Sequence, residues 1–176
     1  MTPQTAALIL GDLQNDFLHP EGAYGRAGQS NPTIAALPEK LTPLVRAARM
    51  RGLLVVATLF TLVPGRGGEP IISPHLKTLR PFLAKRDFAP GSWGQRLVDA
   101  LAPVDIEVEK IAYSAFHASR LEWVLRKCGI EQLYFAPGSP PTLLHVGHRS
   151  DGALDIAGGG DPTGAELCGQ SARPRA

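Results

Sequence analysis

Apolar positions gather in short runs that alternate with stripes of helical spacing over the first 136 residues. Ala6 to Gly11 is a continuous apolar run ending at polar Asp12, which suits a buried parallel strand. A helix is expected to start between Leu37 and Pro43. It places Leu41, Leu44, Val45 and Ala48 on one face and ends at Gly52. Leu53 to Leu59 supplies a second strand. After a Pro- and Gly-rich connection, Gln95 to Ala102 sets Leu97, Val98 and Leu101 on one helical face, with Pro103 as the stop. Ile106 to Lys110 reads as a third strand. Ser119 and Glu122 have the spacing of a capping box, ahead of a stripe of Leu121, Val124, Leu125 and Cys128 that closes at Gly129. Gln132 to Ala136 is the next strand. Such alternation predicts an α/β fold with a parallel sheet covered by helices on both faces.

The pattern breaks near Pro137. All 11 aromatic residues lie between Phe17 and Phe135, whereas Gly and Pro make up 13 of the last 40 residues. Only six of those 40 are Leu, Ile or Val, too few to expect a core strand or helix pair. The expected division is therefore residues 1–136 as one α/β domain and 137–176 as a Gly/Pro-rich tail.

Charge excludes more than it suggests. Eighteen Lys and Arg against 16 Asp and Glu leave +2, with no basic cluster, so neither nucleic acid nor an acidic membrane is an expected partner. No apolar run approaches the roughly 20 residues of a membrane span. Met1 to Thr5 carries no basic residue ahead of an apolar region, so a cytoplasmic protein is expected. Two cysteines, Cys128 and Cys168, suggest neither a disulfide framework nor a zinc site.

Ligands of parallel sheets sit beyond the carboxyl ends of the strands. Two charged residues stand there. Asp12 follows Leu8 and Leu10 on one strand face, and Lys110 follows Ile106 and Val108 in the same way. If those strands were neighbours, about 4.8 Å apart, the two charges would meet over one pocket. An ordinary structural ion pair is the other account, and by spacing alone the commoner one.

The wording around these residues narrows the choice. Leu10-Gly11-Asp12-Leu13-Gln14-Asn15-Asp16-Phe17, then Pro90-Gly91-Ser92-Trp93-Gly94, then Glu109-Lys110-Ile111-Ala112-Tyr113-Ser114-Ala115-Phe116 are three segments in order. Together they resemble the isochorismatase-like hydrolases, the cysteine hydrolase superfamily, over about residues 6–136. The resemblance implies a three-layer Rossmann-like fold and a site joining an Asp, a Lys and a nucleophilic Cys. By motif position Asp12 would be the general base, and Lys110 would lower the cost of thiolate and oxyanion charge. Phe17 and Trp93 would line a substrate pocket, although core packing explains each equally well. Asp16 would be structural, capping the loop that follows. The expected partner is a small-molecule substrate, with no cofactor and with self-association into a homo-oligomer left open.

Where the family carries Gly-x-x-Thr-Asn-x-Cys, this chain reads Pro137-Gly138-Ser139-Pro140-Pro141-Thr142-Leu143-Leu144. Cys128 is expected in the core, on the apolar face of its helix, and Cys168 has no element to position it. A change of reading frame near Ala136 accounts for both the composition and the lost motif. Codons for Ala136 to Thr142 include a set that, reread one base earlier, spells Ala-Gly-Ile-Ala-Thr-Asn. On that account the sheet is incomplete at its C-terminal end, and its edge and apolar face would favour aggregation or burial by a partner.

Other signals carry less. Thr58-Leu59-Phe60-Thr61-Leu62 replaces the Asp-x-His metal motif of some nicotinamidase-like members, so no metal is expected. His145 and His148 read as tail loop, Gly158-Gly159-Gly160 as flexible linker, and Gly65-Arg66-Gly67-Gly68 as a surface turn or a lid. His117 receives no role. The expected function is hydrolysis of a small molecule at an amide or ureido C–N bond, or of a vinyl ether. For the vinyl ether, protonation by the Asp suffices without a thiol. The alternatives are a non-catalytic relative that binds a ligand or partner, and an inactive truncated product.

Overall fold

In the computed structural model the described residues are 5–138, 144–148 and 154–157, the last two stretches as backbone. Six strands form one sheet in the order β3-β2-β1-β4-β5-β6. They are β1 (Ala6–Gly11), β2 (Leu54–Phe60), β3 (Ile106–Lys110), β4 (Gln132–Pro137), β5 (Leu144–His148) and β6 (Leu154–Ala157). The first four are parallel, and β5 and β6 continue the sheet antiparallel.

Ala7, Leu8, Ile9 and Leu10 are all buried, because helices cover both faces of the sheet. On one face, α4 (Leu37–Met50) sets Val45 and Ala48 against Leu8, Leu10, Val55 and Ala57. On the other, α6 (Leu121–Lys127) sets Leu121, Val124 and Leu125 against Ile9, Val56, Val108 and Leu133. The three layers therefore follow from the patterning of the strands. Four shorter helices, α1 (Asn15–Leu18), α2 (Ala23–Arg26), α3 (Pro32–Ala35) and α5 (Pro74–Leu79), lie in the connections.

Four expectations need correcting. The helix expected over 95–102 is only a 3-10 turn, Asp99–Leu101. Its backbone is claimed by the segment after β1, since Gln14 bridges Leu97 and the Val98 N–H donates to Leu13 O. Leu97, Val98 and Leu101 are buried all the same, so the apolar pattern marked burial and not conformation. The capping box at Ser119 does not form. The residue preceding the helix is Arg120, and Ser119 Oγ accepts from the Leu121 N–H from one position farther back.

Cys128 is exposed rather than in the core. The helix ends at Lys127, and Cys128 lies past its last turn among Gly52, Leu54 and Asp105, at the amino ends of the strands. The tail is not strandless either. His145 and His148 belong to β5, whose pairing with β4 covers the edge expected to be open. The alternation of Leu144 and Val146, and of Leu154 and Ile156, has the two-residue period a strand requires. The Gly158 to Gly160 run and Cys168 lie outside the described residues.

Candidate active site

Asp12 and Lys110 do not sit on neighbouring strands. β2 lies between β1 and β3, which sets the strand axes about 10 Å apart. Two local features close the gap. Asp12 leaves β1 in the left-handed region at φ 59, a conformation that Asp tolerates better than most residues. Lys110 ends β3 on the same face as Val108 and reaches across β2, with Nζ 5.6 Å from the centroid of the Phe60 ring. The result is a contact of 3.0 Å between Lys110 Nζ and Asp12 Oδ2. Gly138, just past β4, closes the third side. Its N–H donates to Gly11 O at 2.6 Å, and a Cβ there would lie 2.8 Å from Asp12 O.

The electrostatics of the pair are unequal. Lys110 is 3% exposed and spends its donors on Asp12 and on the carbonyls of Ala112 and Tyr113, at 3.2 and 3.0 Å. Asp12 retains 35% exposure of its side chain, yet its Oδ1 is buried and has no hydrogen-bond partner among the described residues. Burial pushes the Asp12 carboxyl above its ordinary 3.8, and the charge and hydrogen bond of Lys110 offset that only in part. Thr58 Oγ1, on the intervening strand, is likewise buried and unpartnered among the described residues. Its signal in the sequence was a single polar residue inside the apolar run of β2.

Asp16 has a different task. Its two carboxylate oxygens accept from the N–H groups of Ala23 at 2.9 Å and Phe88 at 2.6 Å, which ties three segments together. Here too burial raises the carboxyl, against those bonds. Phe17 packs on Tyr24, Phe60 and Phe88, with centroids at 5.0, 6.2 and 4.5 Å, and is thus one ring removed from Lys110. Trp93 is 40% exposed and meets His19 edge-on at 4.9 Å. His117 is exposed. Gln14 and Gln95, which the sequence did not single out, are buried where these loops meet. Gln14 bonds both Phe60 backbone groups and Gln95 O, and Gln95 Nε2 donates to Thr61 Oγ1 and Glu109 Oε1. Among the described residues no group of three or more His, Cys, Asp or Glu is placed to hold a metal ion, and no helix is long and apolar enough to cross a membrane.

Comparison with known proteins bears on what this geometry serves. The model of the isochorismatase domain matches residues 6–136. A cysteine hydrolase from Pseudomonas syringae pv. phaseolicola 1448A is similar in structure, with a TM-score of 0.61 and 24% identity, over 78% of this chain and 61% of that one. N-carbamoylsarcosine amidase from Thermoplasma acidophilum has a TM-score of 0.57 and 22% identity, over 76% of this chain and 68% of that one. The pyrazinamidase of Pyrococcus horikoshii, solved in complex with zinc, has a TM-score of 0.57 and 24% identity, over 76% and 70%. At these identities the likeness is one of fold. The chain spans less than two thirds of the Pseudomonas protein.

Proposed function

The chain belongs to the isochorismatase family, and on that premise we propose that it hydrolyses a small molecule with Asp12 as the proton-transfer group and Lys110 as the charge beside it. What carries the reading is the 3.0 Å contact at the carboxyl rim of the sheet, with a carboxyl that burial biases toward its protonated form. A carboxyl whose pKa has moved toward the working pH is a better acid than one at its ordinary value.

The two branches of the chemistry differ in what they demand. Cleavage of an amide or ureido C–N bond needs a nucleophile that forms an acyl intermediate, which Asp12 then helps to release by protonating the leaving nitrogen. Cys128 is exposed at the opposite end of the strands, so no cysteine among the described residues serves this branch. Hydrolysis of a vinyl ether needs a proton delivered to carbon and water added at the resulting oxocarbenium ion, with the water's proton returned to the carboxylate. The hemiketal so formed then breaks its C–O bond, its hydroxyl proton passing to the departing oxygen to leave an alcohol and a carbonyl product. Asp12 serves that branch unaided, and we place it first. Phe17 and Trp93 are proposed as pocket walls, Phe17 through its contact with the Phe60 ring.

The test is turnover of an amide, ureido and vinyl-ether panel by the full chain, with Asp12→Asn and Lys110→Ala as controls. Hydrolysis that falls at least about 100-fold in Asp12→Asn supports the reading, since a positioned acid contributes roughly that much or more. Saturable binding without turnover would instead favour a non-catalytic ligand-binding relative, a reading that the replaced Cys turn from Pro137 to Leu144 supports.

A further inference from the structure

The hydrogen-bond inventory of Lys110 constrains how it can act. A lysine ammonium has three N–H donors and no acceptor. Three oxygens surround this one: Asp12 Oδ2 at 3.0 Å, Tyr113 O at 3.0 Å and Ala112 O at 3.2 Å. The aliphatic stem lies beside Phe60, whose ring face attracts the cation at 5.6 Å. With the residue buried, water does not compete for these donors. No proton of Lys110 is left to bond a substrate oxygen unless one of the three contacts opens.

We propose that Lys110 is a positioning residue, whose ammonium clamps the Asp12 carboxyl to the segment of residues 111–118 and reaches the substrate only through its charge and through that segment. The proposal rests on the hydrolase reading in taking Asp12 as the group that meets the substrate. Fixing Oδ2 on the ammonium leaves Oδ1, buried and without a hydrogen-bond partner among the described residues, as the oxygen free to hold a proton. Clamping the carbonyls of Ala112 and Tyr113 in turn holds the exposed Tyr113 and Ile111 at the rim of the sheet. Ala115 and Phe116 are tied to the apolar cluster under α6 and Ser119 bridges Lys110, with side-chain bonds from Phe116 N–H to Ser114 Oγ and from Ser119 Oγ to Ala115 O, whereas residues 111–114 lie outside that cluster. The order of residues 111–114 is therefore expected to depend on the ammonium.

Side-chain nitrogen NMR of the full chain, with amide exchange on the same samples, tests the clamp without any substrate. In the wild type one lysine Nζ resonance should persist near pH 7, where exposed lysine ammoniums are averaged away by exchange, and it should be missing from Lys110→Arg. In Asp12→Asn, which keeps the shape and removes the charge, that resonance and the amides of residues 112–114 should exchange about tenfold faster. This is the loss expected of one charge-assisted hydrogen bond, and β1 amides should be unchanged. The absence of a protected Nζ resonance in the wild type would overturn the proposal. Unchanged exchange in Asp12→Asn would do so as well, whatever the fate of Lys110→Arg. A protected, Asp12-dependent resonance in a protein that hydrolyses nothing would leave the clamp standing and remove the hydrolase reading.

Discussion

At the scale of single residues, two carboxyls, buried Asp16 and partly buried Asp12, pull the pH dependence in an unusual direction. Asp12 and Asp16 both have folded-state pKa values above the ordinary 3.8, in each case because burial outweighs the groups that favour the anion. Between the unfolded and the folded value the native state then binds more protons than the unfolded chain. Stability contributed by such a group is present below the unfolded value and falls as pH rises through the folded one. Asp12→Asn cannot titrate, so its stability relative to wild type should improve from pH 4 to pH 7. Urea unfolding at both values checks this, and a relative loss over the same span would mean the folded carboxyl is depressed, not raised. Gly94 tests Asp16 by crowding. A Cβ there would lie 2.1 Å from Asp16 Oδ2, so Gly94→Ala must displace the carboxylate from the N–H groups of Ala23 and Phe88. Leaving buried donors unpaired costs about 1–3 kcal/mol each, and a loss of about 2 kcal/mol or more in chemical denaturation is expected.

At the scale of elements, the buried amide of Gln14 joins three pieces of chain that local pattern treats separately. It donates to Phe60 O and Gln95 O at 2.9 and 2.7 Å and accepts from Phe60 N–H at 2.7 Å. Gln14→Leu should keep the volume, orphan one N–H and two carbonyls, and lower stability by about 3 kcal/mol or more in the same assay. A change below about 1 kcal/mol would show that the end of β2 does not depend on this residue. Such ties explain what could be read in advance. β1, β2 and β4 announced themselves because strands covered on both faces are largely continuous apolar runs, β3 by the alternation of Ile106 and Val108 with Glu107 and Glu109, and α4 and α6 because one face of each is apolar. The segment 95–102 misled because Leu97, Val98 and Leu101 have helical spacing, but Leu97 and Val98 are buried in a stretch held by Gln14 and Leu13, and Leu101 in the 3-10 turn that follows. Asp12 and Lys110 were legible as strand-end charges. That β2 separates their strands was not, because spatial order is set by packing and leaves no local mark. The carbonyls of Ala112 and Tyr113 were beyond reach altogether, since every residue has one.

At the scale of the whole molecule, the open question is what residues 137–176 do for the sheet. The isochorismatase match ends at 136, where β4 ends with the neighbouring Pro137, and the outer edge of β4 carries β5 and β6. We propose residues 1–136 as the domain and the remainder as an appended segment, which gives a test of both its origin and its physical role. Its origin is decided by the nucleotide sequence around Ala136: an uninterrupted frame in an independent isolate removes the frame-change account. Its role is decided by truncation after Gly138, which keeps the glycine packed against Asp12 and removes everything that pairs with β4. An unpaired edge of an apolar strand such as Leu133 to Ala136 is a template for pairing with another copy. The truncated chain is expected to associate at concentrations where the full chain does not, measured by light scattering on matched samples. Equal size for the two would mean that β4 needs no cover, and that the edge of this sheet is protected by something other than its tail.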